Sequence, residues 1–103
     1  MTKRTYAVSW KEDDGHVFAG KLALGLTHVR LEGRSSTGIE LTRVLHYGDL
    51  GGVSSERRNG QREIGVSWGG RRFSISVVDG AGAVSELLEE LRRRTETPVS
   101  LQT

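Results

Sequence analysis

The sequence predicts a mainly β protein: seven antiparallel strands in a partly open barrel or two orthogonal sheets, capped by one C-terminal α-helix. Short runs in which apolar and polar residues alternate with period two occupy most of the chain. The chain has 14 glycines and 1 proline, and the glycines fall between these runs, as hairpin turns require. Apolar residues at helical spacing appear near the end, which favours a single terminal helix.

Four of the predicted strands lie in the first half of the chain. "TYAVSW" alternates strictly, and Asp14-Gly15 in the polar segment after it is a strong hairpin signal. "HVFAGKLAL" follows as the second strand, with Phe18, Leu22 and Leu24 on one face. "VRLEG" is the third strand, and the loop "RSSTG" leads into the fourth, "ELTRVLHY".

The segment "HYGDL", residues 46–50, holds a histidine, a tyrosine and an aspartate within four positions. These are side chains of acid–base chemistry, but their place between two strands favours a corner of the fold. Gly48 would permit the turn, and Asp49 can bond its own backbone two residues on. Three more strands follow the corner, "GGVSSER", "REIGVSW" and "RRFSISVV", with Asn59-Gly60 and Gly69-Gly70 as their hairpin turns.

The segment "DGAGAVSELLEELRRR" predicts the helix. Its apolar positions recur at i, i+3, i+4 and i+7 and are Val84, Leu87, Leu88 and Leu91. Asp79 is a candidate N-cap, and arginines 92–94 lie where the helix dipole favours cations. Pro98 and the polar end "TETPVSLQT" predict fraying, so we expect one domain over residues 1–95 and a polar tail over residues 96–103.

Length and composition limit the classes of protein to consider. A chain of 103 residues, with 35% hydrophobic and 27% charged residues, predicts one globular domain. There is no cysteine, which excludes disulfides and thiolate zinc sites. No apolar run approaches a signal peptide or a membrane span, so we expect a cytoplasmic protein that does not span a membrane. The formal net charge of +2 gives no reason to expect nucleic acid as a partner.

Short matches to enzyme motifs are better explained by the fold. "GVSWG" fits the G-x-S-x-G pattern, but Ser67 would lie inside a strand that leads to another strand, whereas a nucleophile elbow joins a strand to a helix. "DGAGAVS" resembles a dinucleotide fingerprint, but too little chain follows it for a second βα unit. His16, His28 and His46 lack metal-ligand spacing. We therefore expect no catalytic residue, no metal site and no cofactor.

Arginines concentrate around the last two hairpins. From Ser54 to Arg72 there are five arginines against Glu56 and Glu63, a local excess of three positive charges. These arginines either are solvated hairpin tips or meet an anionic surface such as membrane lipid. Nucleic acid is disfavoured, because Trp68 and Phe73 should point inward and no exposed aromatic is interleaved for base stacking.

Three segments together are similar to a pleckstrin-homology-like (PH-like) domain of the small bacterial or GRAM type. They are "GKLALGLTHVRLEG" for strands two and three, "RVLHYGDLGGV" for strand four into five, and "RRFSISVVDGAGAVSELLEELRRR" for the last strand and helix. The resemblance is one of pattern and spans most of residues 6–94. The helix has aliphatic residues where many members of the family have a tryptophan.

The resemblance implies a binding module without catalytic activity. Phosphoinositide-binding members carry a basic constellation on the first two strands; here Lys11 and Lys21 match, but Ala23 takes the third place, and residues 12–14 are acidic. Peptide-binding members instead add a segment to the fifth strand beside the helix. We therefore expect a protein or peptide partner first and an adaptor for anionic membrane lipids second. The expected contact residues are Val53, Ser54, Ser55, Arg57, Arg58, Arg71 and Arg72.

Overall fold

The computed structural model describes residues 5–58 and 60–100 of the chain. Its elements are β1 Thr5–Glu12, β2 Val17–Leu24, β3 His28–Ser35, β4 Glu40–His46, a 3₁₀ turn Tyr47–Asp49, β5 Leu50–Arg58, β6 Gln61–Trp68, β7 Arg71–Val77 and α1 Ala81–Ser100. Within this part of the chain no helix is long and apolar enough to cross a membrane.

The seven strands form one antiparallel sheet in the order β4-β3-β2-β1-β7-β6-β5. β1 joins the two halves of the sheet, because it pairs with β2 along one side and with β7 along the other. Among the described residues, β4 and β5 each have a single neighbouring strand, so the sheet is not closed. The predicted fold class, a mainly β partly open barrel with one C-terminal helix, is confirmed, and its strands belong to one continuous sheet.

The core forms from the alternating positions that the sequence indicated. In β1 the buried side chains are Tyr6, Val8 and Trp10, and the neighbouring strands contribute residues such as Leu22 and Ile75. Burying such apolar area, at roughly 25 cal/mol per Å², is the main force that holds a sheet of this kind together. Most polar members of the alternating runs face solvent, so the period-two pattern also orients the strands; Glu12, at the end of β1, is buried.

Two glycines that face each other on β2 and β3 allow close contacts with the backbone and the ring beside them. Gly20 and Gly33 lie opposite each other in the sheet. A Cβ atom on Gly20 would be 1.9 Å from the carbonyl oxygen of Glu32, and one on Gly33 would be 2.7 Å from the ring of Trp10. No side chain fits at either position: Gly33 allows the Trp10 ring to lie against β3, and Gly20 allows the backbone of β3 to approach β2.

The helix α1 covers the core over β5, β6 and β7. Val84, Leu87, Leu88 and Leu91 are all buried, which confirms the predicted stripe. On one flank the hydroxyl of Tyr6 donates a hydrogen bond to a carboxylate oxygen of Glu86, at 2.5 Å. Burial and this neighbouring carboxylate raise the pKa of Tyr6 well above its ordinary value. Tyr6 therefore stays protonated and has a structural role.

Both ends of the helix differ from the prediction. α1 begins at Ala81, directly after Gly80, which has a φ of 112°. Asp79 therefore precedes the capping position, and its carboxylate accepts the backbone N–H of Ala7 at 3.3 Å, which ties the turn to β1. The helix also continues through Pro98 to Ser100 where we predicted fraying. Pro98 has no backbone N–H, so it adds no hydrogen bond to the helix that passes through it.

The corner after β4 is present, but it is built differently from the prediction. The chain makes a 3₁₀ turn closed by the N–H of Leu50, which donates to the carbonyl of Tyr47. Gly48 does not adopt a positive φ, so the turn does not depend on glycine. The indole of Trp68 donates to the carbonyl of His46 at 2.6 Å and fixes the corner to β6. These contacts are structural, as expected for a corner.

Candidate functional site

The free edge of β5, with the adjoining flank of α1, is the site that the sequence predicted; we call it the β5 groove. It consists of the β5 residues Val53, Ser55 and Arg57, of Arg62 on β6 and of Ser85 on the helix. β5 pairs with β6 on one side only, and α1 packs against β5. An extended peptide segment can form backbone hydrogen bonds with an unpaired strand edge and pack against the helix beside it.

Backbone groups on this edge point away from β6 at alternate residues. Arg58 and Gln61 flank a two-residue turn, so they form a hydrogen-bonded pair; Asn59, the first turn residue, lies outside the described residues. Pairs in an antiparallel ladder alternate between bonded and non-bonded. Val53 and Ser55, which pair with Val66 and Ile64, are therefore non-bonded positions.

The same alternation applies to Arg57, which pairs with Arg62. The N–H and C=O groups of Val53, Ser55 and Arg57 consequently face outward along the edge. The β6–β7 hairpin gives the same result. Counting from its Gly69-Gly70 turn makes Val66 and Phe73 a hydrogen-bonded pair, so the backbone groups of Val66 point toward β7 and away from Val53.

Arg62 connects the strand edge to the helix. Its guanidinium donates to the hydroxyl of Ser55 at 3.1 Å and to that of Ser85 at 2.9 Å. Arg57 lies directly opposite Arg62 in the ladder, and two like charges at such a position repel each other. An anionic group placed between them would relieve that repulsion.

A groove of about 700 Å³ continues from this point toward the start of α1. Its lining includes Arg57 and Arg62 on one side and Val78 and Val84 on the other. Val78 is 71% exposed, so the groove has an accessible apolar residue. The groove therefore combines positive charge with accessible apolar surface.

The remaining predicted residues are not brought together with the β5 groove. Ser54 lies on the opposite face of β5, near Gly65. Arg72 is also on that face, where it forms an ion pair of 2.7 Å with Glu56. Arg71 lies at the open end of the barrel, 3.7 Å from a carboxylate oxygen of Glu12. The side chain of Arg58 lies outside what the structure describes.

The region of the expected phosphoinositide constellation has a different organisation. Glu12 belongs to β1 and not to a solvated loop, and it is only 4% exposed. It accepts two hydrogen bonds from Arg43, at 3.0 and 2.8 Å, and one from the indole of Trp10 at 3.1 Å. The bonds from Arg43, followed by that from Trp10, lower the pKa of Glu12 below its ordinary value although burial opposes the shift. Lys21 lies 3.7 Å from Glu32.

A second depression, of about 600 Å³, lies over the facing glycines of β2 and β3. Its charged lining residues neutralise one another: Lys21 with Glu32, and Arg34 with Glu40 at 2.6 Å. A Cβ on Gly33 would point to the other face of the sheet, toward Trp10, so the depression is an outer surface between paired charges.

Ser67 lies inside β6, which turns directly into β7. A nucleophile elbow needs a strand followed by a helix, so the G-x-S-x-G match is a pattern of the strand and its glycine turn. His16 lies apart from the other two histidines and bonds Asp14, its Nδ1 lying 3.0 Å from the carboxylate. In the described residues no three or more of the side chains His, Cys, Asp and Glu converge in a way that could hold a metal.

Sequence reasoning missed Arg62 and Ser85 as members of the site. Arg57 and Arg62 lie symmetrically about the Asn59-Gly60 turn, so counting outward from that turn would have paired them. Ser85 had no such signal, because its place beside β5 depends on how the helix docks.

Comparison with models of known protein families gives no match for this chain, and neither does comparison with curated proteins.

Proposed function

We propose that this protein is a PH-like, non-catalytic binding module of the cytoplasm that takes an extended peptide segment of a partner protein into the β5 groove. The observation that carries the proposal is the row of outward-facing backbone groups at Val53, Ser55 and Arg57, beside a helix that packs against the same strand. A bound segment would extend the sheet by one strand, and pockets for its alternate side chains would supply selectivity.

Charge favours an acidic segment. Arg57 and Arg62 face each other across the ladder, and the hydrogen bonds from Arg62 go to two serine hydroxyls. A carboxylate that accepts from both guanidiniums would make charge-assisted hydrogen bonds and remove their mutual repulsion. The exposed Val78 at the end of the groove suits an apolar residue further along the same segment.

An adaptor for anionic membrane lipids is the second candidate, and the observation in its favour is the number of arginines near the last two hairpins. Their placement is less favourable. Arg57 faces the β5 groove, Arg72 lies on the opposite face beside Glu56, and Arg71 approaches Glu12. Because a membrane is flat, arginines on separate faces cannot all meet it at once.

The test is a selection of peptides from a random library, followed by mapping of the binding site from amide chemical shifts. Val53→Pro removes an outward-facing N–H without removing a bond to β6. We expect this change to weaken binding at least tenfold, and we expect the selected peptides to be acidic. Arg57→Ala together with Arg62→Ala should weaken binding and flatten its dependence on salt.

Val44→Pro is the matched control. β4 is the other edge of the sheet, and Val44 is 51% exposed. Counting from the Ser35–Ile39 bond shows that its N–H also faces outward. This variant should bind peptide as the unaltered protein does. Equal loss in both proline variants, with both still folded by melting temperature, would contradict the proposal.

A further inference from the structure

Two histidines that are far apart in the sequence face each other on the outer surface of the sheet. His28 of β3 and His46 of β4 are register partners, and their ring centroids are 5.8 Å apart. Their neighbours Val29 and Leu45 pack on the inner side with the core, so both imidazoles are on the solvent side. This pair lies on the edge of the sheet opposite to the β5 groove.

The strand pairing places the two histidines at positions where facing side chains approach closely. The N–H of Ser35 donates to the carbonyl of Ile39, and the N–H of Tyr47 donates to that of Thr27. Counting from either bond makes His28 and His46 a non-hydrogen-bonded pair, the kind in which facing side chains approach most closely.

From this geometry we infer that His28 and His46 together bind one late transition-metal ion of the Zn²⁺, Ni²⁺ or Cu²⁺ class, with water at the remaining positions. Two imidazoles that share one ion at about 2.0–2.1 Å per bond have ring centroids roughly 5 to 6 Å apart. The observed separation falls in that range. Cε1 and Nε2 of His28 lie on the side of Gly25, so metal binding requires the His28 ring to turn toward β4. Imidazole as the donor selects these ions over Mg²⁺ and Ca²⁺, which prefer oxygen.

The surroundings hold the pair in place. The carbonyl of His28 accepts from the N–H of Gly25 at 2.8 Å, and that of His46 accepts from the indole of Trp68 at 2.6 Å. Nδ1 of His28 lies 3.2 Å from the hydroxyl of Thr27. With the proton on Nδ1 donated to that hydroxyl, Nε2 carries the lone pair for the metal, as second-shell bonds commonly arrange.

The residue pair next to the two histidines on this surface does not oppose the binding of a cation. Arg30 and Val44 are opposite each other. The guanidinium of Arg30 is held by Glu32, at 2.6 Å, which compensates its positive charge. Metal binding would link β4 to β3 at the end where the chain enters the 3₁₀ turn, and would stabilise this edge strand.

The experiment is calorimetric titration of the protein, free of any histidine tag, with ZnCl₂, NiCl₂ and CuCl₂ in separate runs. We expect one ion per chain and a higher melting temperature in its presence. His28→Ala and His46→Ala should each weaken binding on the order of 10²-fold, because the second imidazole acts as an intramolecular ligand. MgCl₂ and CaCl₂ should show no binding.

His16→Ala is the matched control, since His16 lies on the β1–β2 turn and should leave the affinity unchanged. His46→Gln provides a second test if His46→Ala lowers the melting temperature of the metal-free protein. Lack of binding by the unaltered protein, or an affinity of the His28→Ala or His46→Ala variant equal to that of the unaltered protein, would overturn the inference.

Discussion

At the scale of single residues, Glu12 departs most clearly from the rule that the polar positions of an alternating strand face solvent. It ends an alternating strand, and its carboxylate is buried beneath Arg43 and Trp10. Removing one partner of a buried ion pair leaves the other charge uncompensated, which is more costly than any exposed pair. The sequence showed only a run of acidic residues here, because nothing local shows that Arg43 of β4 meets this carboxylate of β1, with β2 and β3 between the two strands.

We therefore expect Glu12→Gln to lower the free energy of unfolding by about 3 kcal/mol at neutral pH. The pKa of Glu12 is lowered in the folded protein, so its contribution is complete above the unfolded pKa and is lost as the pH falls through the folded pKa. The stability difference between the two proteins should accordingly shrink in acid. Denaturant titrations across the acidic range measure it.

Glu40→Gln is the comparison variant. Its side chain is 73% exposed and pairs with Arg34, so the change should cost less than about 1 kcal/mol at any pH. A Glu12 variant no less stable than the Glu40 variant would show that the Glu12–Arg43 pair does not stabilise the barrel end.

At the scale of elements, prediction from the sequence succeeded wherever periodicity alone decides. The apolar stripe of α1 and the inward faces of β1, β2 and β3 are as the alternation indicated. It failed where a distant contact decides: Asp79 lies two residues before the helix begins, and its carboxylate accepts the N–H of Ala7. The facing pair His28–His46 needs the strand register, which local spacing does not show. The pair Arg57–Arg62 could have been found by counting from the Asn59-Gly60 turn.

The helix supplies the element-scale prediction. Leu88 is 3% exposed, and its truncation to alanine should cost about 2–5 kcal/mol through lost burial and the cavity left behind. Glu89→Ala, one position further along on the exposed face, should cost a few tenths of a kcal/mol. Thermal unfolding compares the two variants. An unchanged melting temperature for Leu88→Ala would contradict the role of α1 as the cover of the core.

At the scale of the whole molecule, charge is spread over the surface. The formal net charge is only +2, and arginines at several positions are held by carboxylates, as in the pairs Arg72–Glu56 and Arg94–Glu90. Surface charges act over about a Debye length, near 10 Å in 0.1 M salt, so dispersed arginines attract a membrane weakly.

We expect flotation with anionic vesicles to show weak binding that disappears at physiological salt and does not depend on the headgroup. The combined change of Arg57, Arg58, Arg71 and Arg72 to alanine should abolish it. The same vesicles without anionic lipid are the control. Tight binding to one phosphoinositide at physiological salt would instead favour the membrane candidate over the peptide candidate.

The position of β1 has a consequence for how the chain acquires its structure. Hairpins between consecutive strands close short loops. The pairing of β1 with β7, in which Val8 lies opposite Val77, joins the first strand of the chain to the last one. Closing that long loop costs the most chain entropy, and contacts of high sequence separation slow folding. During synthesis, β1 therefore cannot pair with β7 until β7 has left the ribosome. Until then the second half of the sheet does not cover the apolar faces of β1 and β2.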